Sequence, residues 1–301
     1  MPRRTRLIAV LILLAAGAAI AALGKLDNSV TLDSAREIWS DFLRDSDEVG
    51  LHATRMSAVE EMRLGNRIAE SLARWAPEDP RDTAYVAAVG ARMEPFLRRR
   101  DIHYRYHVIE SPQVNAFALP GGEVYVLRGM MGFLRSEAEL AAVLGHEMAH
   151  VDQRHCVERF QYQRALEKVG AGSLGRDVDA MRSLAAIGYT QFQEFDADAE
   201  GQRLEAGAGY DPCAARAVFE RLGRSRPPPP RAATPANEID RAMTQALEDY
   251  FRSHPHSGER ARRLFGNESR YHGQYYEGAT NYRDRVSLSR YAYRIEYRQL
   301  P

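Results

Sequence analysis

Two histidines four residues apart, with a glutamate beside the first, stand at His146-Glu147-Met148-Ala149-His150. On an α-helix this spacing sets both imidazoles one turn apart on one face, where they reach a single ion. That is the arrangement of two zinc ligands, and Glu147 is placed to act as general base on the ion's open side. Leu140, Leu144 and Met148 form a separate apolar stripe about 200° round the helix, so its back can pack into a core while its front holds metal. A catalytic zinc site needs a third protein ligand and leaves the fourth position to water. Glu194-Phe195-Asp196-Ala197-Asp198 lies 44 residues beyond His150 in another helical segment. Glu194 and Asp198 share a face there. Glu194 is the candidate ligand, and Asp198 the acceptor for the spare ring N–H of His146, fixing its tautomer. Asp196 and Glu200 compete for the ligand role, and alone such an acidic patch is more often a solvated helix face.

Elements that position these groups are readable on either side. Ser57-Ala58-Val59-Glu60 is a capping box, and Val59, Met62, Ile68, Leu72 and Trp75 recur at helical spacing up to the break at Pro77 and Pro80. Asp79 or Asp82 caps a second helix carrying Val86, Val89, Met93 and Leu97. The period then shortens to two over Ile102, Tyr104, Tyr106 and Val108, a strand, and the run Glu123 to Leu127 after Pro120-Gly121-Gly122 predicts another. Ser136-Glu137-Ala138-Glu139 caps the helix of the two histidines. Long helical segments follow, interrupted at Gly170 to Gly175 and at Pro227 to Pro230. The segment Gly170 to Tyr189 between the metal-binding helices suits a lid or a packed helical hairpin. In the Tyr-rich tail, Tyr291, Tyr293, Ile295 and Tyr297 alternate as in a late strand.

Composition bounds the function. Of 301 residues, 45% are apolar and 27% charged, which describes a folded, water-facing body. Lys+Arg and Asp+Glu number 41 each, and without Arg3, Arg4 and Arg6 the basic count falls below the acidic, so nucleic acid is excluded as a partner. Residues 1–25 read as an address: three arginines precede an uncharged run over residues 7–23, the layout of a signal peptide or membrane anchor. The remaining chain, 26–301, is then exported and associates with the membrane through that segment. An oxidising location would permit a Cys156–Cys213 bond if the two Cα atoms lie within about 7 Å.

The chain resembles the HtpX-like zinc metallopeptidases, in particular their exported BepA and LoiP branch. The resemblance rests on Asn115 to Gly122, then Val124-Tyr125-Val126, the motif His146 to His150 extended through Val151-Asp152-Gln153-Arg154-His155, and the Glu194 to Asp198 cluster. Gly209-Tyr210-Asp211-Pro212 and His254-Pro255 with Arg260 add to it. The motif-bearing core runs over 57–263, and 264–301 is a Tyr-rich extension. The resemblance implies an α+β, mostly helical gluzincin domain with a small β-sheet whose edge strand borders the active-site cleft. It implies one Zn²⁺ per chain on His146, His150 and Glu194, with Glu147 as general base, and a zinc endopeptidase of the bacterial periplasm acting on unfolded or misfolded envelope proteins. Glu123, Val124, Tyr125 and Val126, with Asn115 ahead of them, are the candidate substrate edge, to which an extended peptide adds through backbone hydrogen bonds. His254 is a candidate to stabilise the oxyanion or to occupy the open metal position and hold the enzyme off. Thr190-Gln191 replaces the family's common Ser-Arg pair, which puts any ion pair from that arginine in doubt.

Overall fold

The computed structural model describes residues 56–74, 78–168, 189–224, 254 and 258–286. The N-terminal address, most of the segment 170–189, the Pro227 to Pro230 loop and the strand expected at 291–297 lie outside the described residues. Among the described residues no helix is long and apolar enough to cross a membrane.

Helix α1, Ala58–Ala73, starts at the expected box: Ser57 accepts from the Glu60 amide while the Glu60 carboxylate accepts from the Ser57 amide. Its buried face differs from the predicted stripe. Val59 is half exposed, whereas Glu61, Leu64, Gly65, Ile68 and Ser71 point inward. The face turns because Arg99 supplies Glu61 with a buried ion pair at 2.7 Å, and because a side chain at Gly65 would run into the Pro120 carbonyl. Helix α2, Pro80–Ala91, has Asp79 as N-cap and Pro80 in its first turn. Strand β1 covers Arg105–Ile109 and β3 covers Glu123–Leu127, with an additional strand β2, Ala116–Leu119, between them in sequence.

The strand order is β1-β3-β2, with β3 parallel to β1 and antiparallel to β2. The expectation that Glu123 to Val126 form an open substrate edge is therefore wrong. β3 is the central strand, buried at all five positions, and its backbone is paired on both sides. Gly121 and Gly122, both at positive φ, make the tight turn that folds β2 back on β3 and uses up that edge. The side chains are equally engaged. Glu123 pairs with Arg105 and His107, and Tyr125 is stacked between His107 and Phe117 at centroid distances of 4.4 and 4.9 Å.

A short helix α3, Arg128–Phe133, leads to α4, Glu137–Asp152, which Ser136 caps by accepting from the Glu139 amide. Every residue of α4 is buried, its histidine face included, so the two-sided helix expected from the sequence is enclosed all round. Leu140, Leu144 and Met148 join Val108, Val124 and Val126 in the main core. Helix α5, His155–Lys168, follows; α6, Gln191–Gly207, then lies against α4 in the most extensive helix pairing among the described residues. Contact is backbone to backbone at Gly145 and Gly201: a Cβ on Gly145 would stand 3.1 Å from the Gly201 carbonyl oxygen, and one on Gly201 3.0 Å from the His146 nitrogen. Helices α7, Ala214–Arg224, α8, Gly258–Glu268, and α9, Ala279–Arg285, close the layer. Asp211 accepts from the Cys213 amide, and α7 begins at Ala214, so Pro212 stands ahead of the first turn. Cys156 and Cys213 are both free thiols.

Candidate metal centre and active site

Helix α4 presents His146 and His150 on one face, with their Nε2 atoms 3.1 Å apart. Helix α6 brings Glu194 to the same point: its Oε2 lies 3.5 Å from His146 Nε2 and its Oε1 3.6 Å from His150 Nε2. His254 joins them, its Nδ1 being 3.2 Å from His146 Nε2 and 3.0 Å from Glu194 Oε1. All four residues are buried, and one donor atom from each falls within 4.8 Å of the others. Tetrahedral ligands at the zinc–nitrogen distance of roughly 2.0–2.1 Å are separated by about 3.3 Å, so these spacings fit such an ion. A second feature supports the fit: both carboxylate oxygens of Glu147 are buried with no hydrogen-bond partner among the described residues. A buried carboxylate left in that condition is costly unless the site supplies a cation or a polar ligand.

The electrostatics are set by a buried arginine. Arg260, fully enclosed on α8, donates to both oxygens of Asp198 at 2.8 and 2.7 Å and makes an ion pair with Glu194 Oε2. Burial pushes the Glu194 and Asp198 carboxyls up, but Arg260 together with the neighbouring histidines, His254 and His146 at Glu194 and His146 at Asp198, outweighs it and holds both below the ordinary range. Thr190 N-caps α6 and Gln191 opens it, and the arginine paired with Glu194 comes from α8. Asp198 Oδ1 stands 3.0 Å from His146 Nδ1, as the expected orienting carboxylate would. Burial lowers the His146 imidazole, yet Asp198 and Glu194 together lift it to about 9. His150, buried and facing His146, is held well below the usual range. Of the competing carboxylates, Asp196 is exposed, and Glu200 is buried against Arg98 and Arg203 at 2.9 and 2.5 Å.

Further groups support the cluster, of which the sequence singles out His155 as structural but not the Tyr189 stacking. His155 Nδ1 lies 3.0 Å from His150 Nδ1. Tyr189 stacks on the His150 ring and shares a contact of 3.3 Å between its hydroxyl and Cys156 Sγ. Burial pushes the Cys156 thiol up to about 12, which makes it a packing group rather than a nucleophile. Asn115 sits at the start of β2, with its Oδ1 buried and lacking a hydrogen bond among the described residues. The four β3 residues proposed for substrate contact are not at this cluster but inside the sheet.

Two imidazoles from one helix, a carboxylate from the next and a general-base glutamate beside the first histidine define a metallopeptidase domain of the His-Glu-x-x-His class. The profile of Peptidase family M48 matches residues 80–268, more than half of the chain, and the chain belongs to that family. Similar proteins include the mitochondrial metalloendopeptidase OMA1 of Schizosaccharomyces pombe, 35% identical over 156 residues, 50% of this chain and 46% of that protein. The beta-barrel assembly-enhancing protease of Escherichia coli (strain K12) is 26% identical over 260 residues, 74% of this chain and 53% of its own. The Arabidopsis thaliana OMA1 is 27% identical over 251 residues, covering 77% and 47%. The chain thus spans about half the length of these curated relatives.

Proposed function

We propose that the protein is a zinc endopeptidase that cleaves unfolded or misassembled proteins in the bacterial cell envelope, reaching the periplasmic space through its N-terminal segment. The observation that carries this reading is the buried convergence of His146, His150 and Glu194, with the Glu147 carboxylate beside them making no hydrogen bond among the described residues. His146, His150 and Glu194 would hold one ion. When bound, zinc supplies Lewis acidity, acidifying water and polarising a peptide carbonyl. Glu147, with no competing hydrogen bond, accepts a proton at its carboxylate and returns it to the leaving amine nitrogen. Asp198 and Arg260 fix the orientation of His146 and Glu194.

An extended substrate finds its backbone partner in β2. The far side of β1 is covered, since Val108 accepts from the Asp79 amide and donates to Thr83, each at 3.0 Å. β2 lies against α4, and its Ala118 carbonyl, turned away from β3, meets among the described residues only the weak Cys156 thiol donor at 3.6 Å. Backbone pairing there makes little demand on side chains, which suits unfolded chains.

His254 favours a second reading, a self-inhibited enzyme or assembly factor whose site is normally closed. Its Nε2 stands 3.3 Å from Glu147 Oε1 while its Nδ1 occupies the ligand cluster. Casein cleavage by the zinc-loaded full chain, abolished by a chelator and by Glu147→Gln, is the expected result. Absence of cleavage in the wild type, or its persistence in Glu147→Gln, would overturn the peptidase reading. Very slow cleavage with client binding retained in the mutant would favour the closed assembly factor.

A further inference from the structure

Helix α5 carries a cation that the metal centre does not use. Arg159 is half-buried, and its guanidinium lies over the Tyr189 ring, 4.7 Å from the centroid. The His150 ring covers one face of Tyr189 at 3.7 Å, so the guanidinium takes the other, and a single ring separates it from a member of the ligand cluster. Other arginines around α4 are committed: Arg260 to Glu194 and Asp198, Arg99 to Glu61, and Arg154 to Glu61 and the Met56 carbonyl. Arg159 differs. No carboxylate among the described residues pairs with it, and its buried Nε makes no hydrogen bond among them. A guanidinium stacked on an aromatic ring keeps its N–H groups, which point outward in its own plane, available to a carboxylate.

Its surroundings place this cation along the substrate path. Cys156 stands one turn before Arg159 on the same face of α5. The thiol touches the Tyr189 hydroxyl at 3.3 Å and, at 3.6 Å, the Ala118 carbonyl on the outer side of β2. A peptide laid along β2 toward the metal ligands therefore runs past Arg159.

We propose that Arg159 binds a carboxylate of the substrate close to the cleaved bond, either an aspartate or glutamate side chain or the carboxylate that ends the chain. The proposal rests on the peptidase reading above and adds a charge preference to a backbone-reading edge. The planar fork meets a carboxylate with two parallel N–H···O bonds, and partial burial strengthens them by keeping water away.

The test uses zinc-loaded full chain and two peptide sets. One set places Glu, Gln or Lys at the positions flanking the cleaved bond in peptides with blocked ends. The other keeps those positions neutral and compares a free carboxyl end with an amidated one. The expected result is a kcat/KM at least about tenfold higher for the carboxylate-bearing member of one set, lost in Arg159→Gln and partly kept in Arg159→Lys. In Arg159→Glu the preference should turn toward the Lys peptide. A response in the first set assigns a side chain, and one in the second assigns the chain end. Zinc content and melting temperature show whether the variants are folded. Affinities of the same peptides for the Glu147→Gln protein, with and without Arg159→Gln, give a readout that needs no turnover. Equal use by the wild type of Glu and Gln, and of free and amidated ends, would overturn the proposal. So would an unchanged preference in the folded Arg159→Gln protein, or a loss of kcat there shared equally by all peptides. Failure to cleave any peptide, together with Arg159-dependent binding of the carboxylate-bearing ones, would instead count against the peptidase reading and leave the Arg159 assignment standing.

Discussion

Tyr189 lies face to face on His150, with ring centroids 3.7 Å apart and planes inclined by 11°. Its hydroxyl is held by Cys156, and the Arg159 guanidinium stands 4.7 Å from its ring on α5. The ligand imidazole is thus clamped between a stacked ring and His155. Tyr189→Ala should weaken zinc binding by roughly 10- to 100-fold, the usual cost of removing an outer support, while Tyr189→Phe retains most of the affinity. Competition against a chromogenic chelator measures both.

Glu147→Gln should keep its zinc and lose about 10²–10⁴ in kcat, because the amide preserves shape but accepts no proton. Metal content and turnover measured on one preparation separate these effects. Zinc loss in the mutant would mean that Glu147 holds the ion rather than the proton.

His254→Ala opens the cluster in which Nδ1 now sits among the ligand atoms. If the residue is a latch, casein turnover rises. A fall of roughly ten- to a thousandfold would assign it to oxyanion stabilisation.

Arg260 is the fully buried cation facing two carboxylates on α6. Arg260→Ala leaves both uncompensated and should cost about 3–5 kcal/mol, read from denaturant midpoints. Arg260→Lys keeps the charge without the two-pronged grip on Asp198, so it should fall between the two.

His107 bridges Glu78 and Glu123 at 2.8 and 2.7 Å. Burial lowers its imidazolium, but the two carboxylates outweigh burial and raise it above 6.5. A raised folded-state value contributes stability that is complete below the unfolded value of about 6.5 and fades as pH rises through the folded value. The stability difference between wild type and His107→Gln should therefore be larger near pH 6 than near pH 8.5. A constant difference would show that His107 acts by packing on Tyr125 alone.

Local spacing made much of the site legible. The i, i+4 pairs His146/His150 and Glu194/Asp198 are helix periodicity, which a chain carries in its own order. The caps at Ser57, Asp79 and Ser136 are equally local. Strand order is not: Glu123 to Leu127 has the pattern of a buried strand, yet whether it lies at the edge or the centre depends on where β1 docks. The short apolar run Ala116 to Leu119, just before Pro120-Gly121-Gly122, was the available sign of a hairpin. Arg260 was visible only as part of a resemblance, because its partners lie about sixty residues away.

The Gly145 and Gly201 contact sets a mechanical tolerance for the ion. Three of the residues that could hold a metal, His146, His150 and Glu194, come from the two helices that meet there, and a coordination site accepts errors of only about 0.2 Å in bond length. One methyl group at either glycine would force the backbones apart by a few tenths of an ångström, a displacement as large as that margin. The width of the metal site is therefore gauged not by its histidines but by two residues that have no side chain, and metal choice in this domain can be retuned without touching a ligand.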